Sequence, residues 1–329
     1  MIIEFASITD PKIQELKDRF GQQTDVFIHG ERIAITGITE SDLAEADLAT
    51  AKKIEHSHPK AIQSSRVFHP DDIVVKTPHS QIDHQSLTLM AGPCSVESRD
   101  HLLKMAEVAK QAGATVLRGG AFKPRTSPYS FQGLGEEGLK YLRKAADAFD
   151  LDVVTEVMDE GHVDLVGRYT DIFQIGARNM QNFSLLKAVG KTKLPVMLKR
   201  GMSASIDDLL NAAEYIAAGG NQQIILVERG IRTFDNKYNR NTLDVGAVPV
   251  LRELTPYPVM VDPSHAAGYH DLVIPEALAG VAAGAAGLIV EIHDNPSQAF
   301  SDGPQALLPE DLLVMADKAR KIKAVLMED

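Results

Sequence analysis

Apolar residues fall into two different rhythms along this chain. From residue 87 onward, eight short apolar runs follow one another (87–92, 115–120, 152–157, 172–177, 195–200, 223–229, 258–263 and 287–292), each closing on small or polar residues. Between them apolar positions return at helical spacing, as over 101–111, 137–148, 206–218 and 271–283. A last such stretch, 309–326, carries Leu312, Leu313, Ala316, Ala319, Ile322 and Leu326 on one face and reads as an ordinary packing helix. Eight strand–helix units recurring every 20–40 residues or so predict an α/β fold, the (β/α)8 TIM barrel. A doubly wound open sheet competes, but it usually has fewer strands and a glycine-rich phosphate loop after its first, and no clean Gly-x-Gly-x-x-Gly occurs here.

The first stretch is built from shorter alternating elements. Residues 2–5 are strand-like, and Asp10 with Pro11 opens a helical pattern through Ile13, Leu16 and Phe20. Residues 25–30 and 32–37 look like two strands joined by a tight turn at Gly30. Ser41 can cap a second helix with Leu43, Ala46, Leu48 and Ala51 on one face, and a final weak strand is expected near 61–68. That β-α-β-β-α-β order predicts a small α+β ferredoxin-like domain over residues 1–70, of a kind that more often regulates or assembles than catalyses. The polar stretch His69-Pro-Asp-Asp is the expected boundary, with the barrel occupying 71–329.

Composition narrows the function. Lys and Arg number 34 against 45 Asp and Glu, a formal net charge of −11, which argues against general nucleic-acid binding. With 44% hydrophobic and 24% charged residues, wholesale disorder is excluded. No apolar run is long enough for a membrane span, and the opening Met1-Ile-Ile-Glu-Phe lacks the layout of a signal peptide. A single cysteine, Cys94, allows no intrachain disulfide. A cytoplasmic enzyme is the expectation.

In a barrel the strand ends face the reaction, so the residues there are the informative ones. Against the net negative charge, Arg118, Lys123, Arg125, Arg178, Lys199 and Arg229 all fall at such ends. Mutually repelling cations held together need an anion to neutralise them, so a multiply anionic small substrate is implied. Any one of them could instead pair with a local carboxylate such as Glu156 or Glu228. A second group, Cys94, His265, Glu291 and Asp302, falls at the ends of the first, seventh and eighth strands, which adjoin in a closed barrel. A thiolate, an imidazole and two carboxylates suit a divalent metal of intermediate softness: Mn2+, Fe2+, Co2+ or Zn2+. The alternatives are a buried structural cysteine and a hydrogen-bonded histidine without metal. Lys199 could also form a Schiff base, although its neighbour Arg200 makes anion binding an equal reading. His56, His58, His69, His79 and His84 lack regular ligand spacing and are expected to be solvated linker residues.

Several long motifs carry a resemblance. They are Ala91-Gly-Pro-Cys-Ser-Val-Glu-Ser, Leu117-Arg-Gly-Gly-Ala-Phe-Lys-Pro-Arg-Thr-Ser-Pro-Tyr-Ser-Phe-Gln-Gly, Gln174-Ile-Gly-Ala-Arg-Asn, Leu198-Lys-Arg-Gly, Val261-Asp-Pro-Ser-His and Leu288-Ile-Val-Glu-Ile-His. Together they resemble the 3-deoxy-D-arabino-heptulosonate 7-phosphate (DAHP) synthases, in particular the type I-beta branch with an N-terminal ferredoxin-like regulatory domain. The resemblance covers the whole barrel; over the first 70 or so residues it rests on the order of elements. It implies condensation of phosphoenolpyruvate with erythrose 4-phosphate, releasing inorganic phosphate, at the first step of the shikimate pathway.

By the same resemblance, Cys94, His265, Glu291 and Asp302 match metal ligands. Arg118, Lys123, Arg178, Lys199, Arg229 and His265 match positions that hold phosphoenolpyruvate, and Pro124, Arg125, Thr126 and Asp302 match positions around erythrose 4-phosphate. Lys123 and His265 are the implied catalytic pair, Lys123 as proton donor to the nascent hydroxyl or as a purely electrostatic group. The resemblance also implies a tyrosine or phenylalanine effector, with His29 as one candidate contact, and a homotetramer. One alternative is the related 3-deoxy-D-manno-octulosonate 8-phosphate synthase, which takes arabinose 5-phosphate and typically carries Lys-Ala-Asn-Arg-Ser where this chain has Lys123-Pro-Arg-Thr-Ser. Others are a metal-independent Schiff-base aldolase and a non-catalytic amino-acid-sensing protein on a retired barrel.

Overall fold

The computed structural model describes residues 1–55, 61–123, 127–235 and 237–328. They form two compact units: residues 1–71 with 254–256, and residues 72–253 with 257–329.

In the larger unit eight parallel strands close into a barrel: β7 (Thr88–Gly92), β8 (Val116–Arg118), β9 (Asp152–Glu156), β10 (Ile172–Ile175), β11 (Val196–Lys199), β12 (Ile224–Glu228), β13 (Val259–Val261) and β14 (Gly287–Glu291). Each lies inside one of the eight apolar runs, and β14 pairs β7 to complete the ring. At that seam Gly92 is obligatory: with φ +159, a Cβ there would stand 2.0 Å from the Arg118 carbonyl oxygen. Met90, Val116, Val154, Ile172, Met197, Ile225, Val227, Met260 and Ile289 are buried in one cluster, so the barrel is a packed core. A short hairpin, β5 (Val75–Lys76) and β6 (Gln81–Ile82), adds Val75 and Ile82 to the same cluster. Its turn residues Thr77 and Ser80 bond Asp152 at the amino end of β9, which places the hairpin at the amino ends of the strands. Solvent access is left to the carboxyl ends.

The helices start where the sequence offers caps. The Ser98 side chain accepts from His101 N ahead of the helix Arg99–Gln111, and Ser205 with Asp208 forms a capping box ahead of Ile206–Ala218.

The N-terminal unit is a four-stranded antiparallel sheet in the order β2-β3-β1-β4, made of β1 (Ile2–Phe5), β2 (Val26–His29), β3 (Arg32–Ile35) and β4 (Ala51–Glu55). Strand alternation sends Ile3, Phe5, Ile33 and Ile35 to one face, against Ile13, Leu16 and Phe20 of the helix Pro11–Phe20. Two expectations are corrected here. The last strand is Ala51–Glu55, not 61–68. Its exposed Lys52 and Lys53 suit a sheet edge, where lysine discourages further pairing. Residues 61–68 run through turns, and Ile62 and Phe68 pack with Ile2 and Ala34 on the sheet's other face. The second helix is the single turn Glu45–Leu48, because Asp42 and Asp47 each fold back to cap a separate short turn.

The histidine expectation is corrected in part. His69 and His84 are buried, His79 is exposed, and His56 and His58 lie outside the described residues.

Candidate active site

The carboxyl ends of the strands carry two adjoining constellations. The first is a cleft of about 690 Å³, open to solvent, lined by Arg178, Lys199, Arg229, Arg232, Arg240 and His265 together with Glu156 and Gln174. Lys199 is the last residue of β11, Arg229 follows β12, and Arg178 sits in the single turn after β10. Lys199 is buried and ion-paired to Asp262, and burial pulls its ammonium below the usual lysine range. Burial also lowers Arg229, whose Nη1 is enclosed and has no hydrogen-bond partner among the described residues. An unmatched guanidinium nitrogen beside an open cleft is a donor awaiting an anionic oxygen.

Arg118 and Lys123 stand outside the cleft lining, against the second constellation. The Arg118 guanidinium is buried, bonds the Pro93 carbonyl at 2.7 Å and pairs with Glu291 at 3.1 Å. Lys123 Nζ donates to the Cys94 carbonyl at 2.9 Å and to Cys94 Sγ at 3.0 Å. Some cations do take the mundane role allowed for them. Arg200 bonds Glu228 and Asp244 at 2.9 and 2.8 Å and serves the scaffold.

The second constellation gathers the candidate ligands. Cys94, Glu291 and Asp302 each present a ligand atom within 4.8 Å of the others. The Cys94 thiol donates to Asp302 Oδ2 at 3.2 Å. His265 joins through its Nε2, 3.4 Å from Glu291 Oε1. Its other nitrogen, Nδ1, lies 2.8 Å from Asp262 Oδ2; an ionised carboxylate can only accept, so Nδ1 carries a proton and Nε2 is the nitrogen turned toward Glu291. Glu291 Oε2 accepts from Gln305 at 2.5 Å, while the buried Oε1 faces Arg118 Nη1 at 3.1 Å and His265 Nε2 at 3.4 Å. A thiol and two carboxylates with ligand atoms within 4.8 Å of one another, and the His265 imidazole 3.4 Å from one of them, make a donor set that fits a divalent cation.

The charge states support that fit. Burial would raise Glu291, but the His265 imidazole and the Arg118 guanidinium outweigh it and hold the carboxyl low. Asp302 is likewise drawn to about 2 against its burial, by His265, Arg240 and the Cys94 hydrogen bond. Burial, with Glu291 adding to it, pushes the Cys94 thiol up to about 12. Two carboxylates are thus ready to ligate, while the thiol must lose its proton to do so.

Every expected site residue within the described structure lies at this mouth, in one constellation or the other. Pro124, Arg125 and Thr126 lie outside the described residues. Three residues were not singled out by the sequence reading. Arg240 lines the cleft and bonds Asp302 Oδ1 at 3.1 Å and Gln305 at 3.0 Å. It comes from deep in the loop after β12, where counting from strand ends gives no signal. Gln305 orients Glu291 from a loop turn, and Asp262 holds both Lys199 and His265.

The sequence model of the DAHP synthetase I family matches residues 73–327. A phospho-2-dehydro-3-deoxyheptonate aldolase of Thermotoga maritima is 54% identical over 243 residues, covering 74% of this chain and 72% of that protein. A 2-dehydro-3-deoxyphosphooctonate aldolase of Koribacter versatilis is 34% identical over 248 residues, covering 69% and 87%. Among solved structures, the T. maritima phospho-2-dehydro-3-deoxyheptonate aldolase (DAHP synthase) superimposes with a TM-score of 0.81 at 42% identity, covering 99% of this chain and 97% of that one. A truncated form of the T. maritima 3-deoxy-D-arabino-heptulosonate 7-phosphate synthase gives 0.76 at 46% identity, covering 81% and 98%.

Proposed function

This chain belongs to the DAHP synthetase I family, and from that membership we propose that it condenses phosphoenolpyruvate with erythrose 4-phosphate to give DAHP and inorganic phosphate. The observation that carries the reading is the cation-lined cleft sharing His265 with a thiol–carboxylate cluster, in a protein of net charge −11. Two phosphorylated substrates supply the anions those cations need. The octulosonate relatives are more distant, and Lys123-Pro-Arg-Thr-Ser favours the four-carbon sugar over arabinose 5-phosphate. A Schiff base at Lys199 is disfavoured by its buried ion pair with Asp262.

In this reading Arg178, Lys199 and Arg229 hold the phosphate and carboxylate of phosphoenolpyruvate in the cleft. Arg118, Lys123 and His265 bound its inner end. Pro124, Arg125, Thr126 and Asp302 surround erythrose 4-phosphate. Cys94, His265, Glu291 and Asp302 would hold a divalent ion, which would supply Lewis-acid polarisation of the sugar aldehyde. The donor set suits Mn2+, Fe2+, Co2+ or Zn2+. C3 of phosphoenolpyruvate attacks the aldehyde carbon, water adds at C2, and the phosphohemiketal loses phosphate by C–O cleavage. Lys123, whose Nζ donates to Cys94 Sγ at 3.0 Å, is assigned to give its proton to the nascent hydroxyl or to act on it as a purely electrostatic group.

The N-terminal unit is read as a ferredoxin-like regulatory domain that takes tyrosine or phenylalanine. In support, an open cleft there is lined by Ile2, Glu4, Arg32, Lys53, Glu55, Arg66 and Val67, with charges of both signs in the pairs Arg32–Glu4 and Lys53–Glu55. His29, the candidate contact, lies against His69 with ring centroids 4.0 Å apart and planes tilted by 56°. A cytoplasmic homotetramer completes the proposal. Metal analysis of the purified protein and of the C94A and D302A variants tests the site: the expected result is one divalent ion per chain, lost in both variants, and retention in both would remove the cation from this site.

A further inference from the structure

One carboxylate that is not among the four candidate ligands ties together the two loops that bring Cys94 and Asp302 face to face. Glu97 Oε1 accepts from the Phe300 backbone N–H at 2.7 Å and from the Ser95 hydroxyl at 3.5 Å. Ser95 Oγ in turn meets Ser301 Oγ at 2.9 Å in a buried hydrogen bond. The clamp therefore grips the residue next to Cys94 on one side and the residues leading into Asp302 on the other.

The second Glu97 oxygen, Oε2, faces His293 Nε2 at 3.4 Å. The Asn295 backbone N–H donates to His293 Nδ1 at 2.9 Å, so the ring carries its proton on Nε2 and offers it to Glu97. This decides against a second cation site. Glu97, His101 and His293 do place three ligand-type atoms within 4.8 Å. Nε2 of His293 nevertheless has no lone pair to give, and the group works as a hydrogen-bonded brace.

Asp302 needs such a brace. Its backbone lies in the left-handed region at φ 52, ψ 29, which costs a residue with a Cβ conformational energy, though aspartate less than most. Its two carboxylate oxygens are drawn apart, Oδ2 by Cys94 and Oδ1 by Arg240. On its far side a Cβ at Gly303 would stand 2.2 Å from the Pro296 carbonyl oxygen, so the chain is closely packed there as well.

We propose that Glu97 is a positioning residue for the cation site: by holding Phe300 directly and Ser301 through Ser95, it fixes Asp302 in its left-handed turn opposite Cys94, at a separation that one ion can bridge. The proposal rests on the assignment of Cys94 and Asp302 as ligands. Outer partners that orient metal ligands are commonly worth about 10–100-fold in affinity.

Co2+ binding to the full chain provides the test, read from the thiolate-to-cobalt absorption and from competition with a chelator of known affinity. E97A is expected to weaken Co2+ binding about 10–100-fold. E97Q, whose amide oxygen still accepts from Phe300 N–H, is expected to recover most of that loss. S301A should lose several-fold, and D302A should lose most. A Glu97 that merely stabilised the fold would lower the melting temperature of the metal-free chain and leave the affinity of the folded chain unmoved. Wild-type affinity in E97A and S301A alongside a large loss in D302A would overturn the proposal and leave the ligand assignment standing. Wild-type affinity in D302A would overturn the assignment and the proposal with it. Should E97A fail to fold, S301A decides: unchanged affinity there refutes the clamp.

Discussion

At the scale of single residues, the proposed roles at the mouth of the barrel divide between binding and proton transfer. Lys123 reaches Cys94 Sγ at 3.0 Å and does not line the cation cleft. K123M is therefore expected to lower kcat by about 100-fold or more, the usual worth of a positioned proton donor, with KM for phosphoenolpyruvate little changed. A raised KM with kcat preserved would reassign Lys123 to binding alone. Arg229, with its unpartnered Nη1, is expected to behave the other way. R229A should raise KM for phosphoenolpyruvate about 10–100-fold, as expected for loss of a charge-assisted hydrogen bond, and steady-state kinetics showing an unchanged KM would place the substrate elsewhere. Cys94 adds a pH dependence. Burial holds its thiol at about 12, whereas ligation needs the thiolate, so loading an ion displaces a proton and affinity rises with pH below that value. Chelator-competition titrations between pH 6 and 9 or so should show this rise, and a flat profile would remove Cys94 from the ligand set.

Most of these residues were legible because a barrel puts its chemistry at strand ends, and strand ends can be counted. Arg240, Gln305 and Glu97 were not. They act from loop interiors, and their roles depend on which atom of Asp302, Glu291 or Phe300 they meet. Spacing carries no trace of such contacts.

At the scale of elements, the eight barrel strands could be read because each is a buried apolar run, and some of the helices between them open on a capping residue such as Ser98, Asn182 or Ser205. The N-terminal unit was harder. Its edge strand β4 carries lysines outward, and residues 61–68 bury Ile62 and Phe68 without forming a strand, so local pattern pointed to the wrong segment. The helix His270–Ala282 carries a stability device of its own. It contains Pro275 and, next to it, the partly buried Glu276, whose Oε2 has no hydrogen-bond partner among the described residues. Burial, reinforced by Asp262, raises the Glu276 carboxyl from 4.5 to about 7. A raised carboxyl means that the folded chain binds this proton more tightly than the unfolded one, so stability falls as pH climbs from about 4.5 to 7 and is level above. E276Q is expected to melt higher than the parent above pH 7 and to converge with it below pH 4.5 or so. Thermal melts of both proteins across that range check it; parallel profiles would contradict it.

At the scale of the whole molecule, charge and architecture point the same way. A chain of net charge −11 concentrates cations at one end of a barrel, and that concentration is intelligible only with anionic occupants. The N-terminal unit lies outside that chemistry. Removing residues 1–71 is expected to leave turnover within a few-fold of the full chain and to abolish inhibition by tyrosine or phenylalanine. Inhibition persisting in the truncated protein would move the effector site into the barrel.

The most direct test of the account is phosphate release from phosphoenolpyruvate, measured with erythrose 4-phosphate or with arabinose 5-phosphate, each with and without a strong chelator. The account predicts turnover with the four-carbon sugar, little with the five-carbon one, and loss of activity on chelation that returns with added divalent metal. Preference for arabinose 5-phosphate, or turnover with erythrose 4-phosphate that survives complete removal of metal, would contradict it.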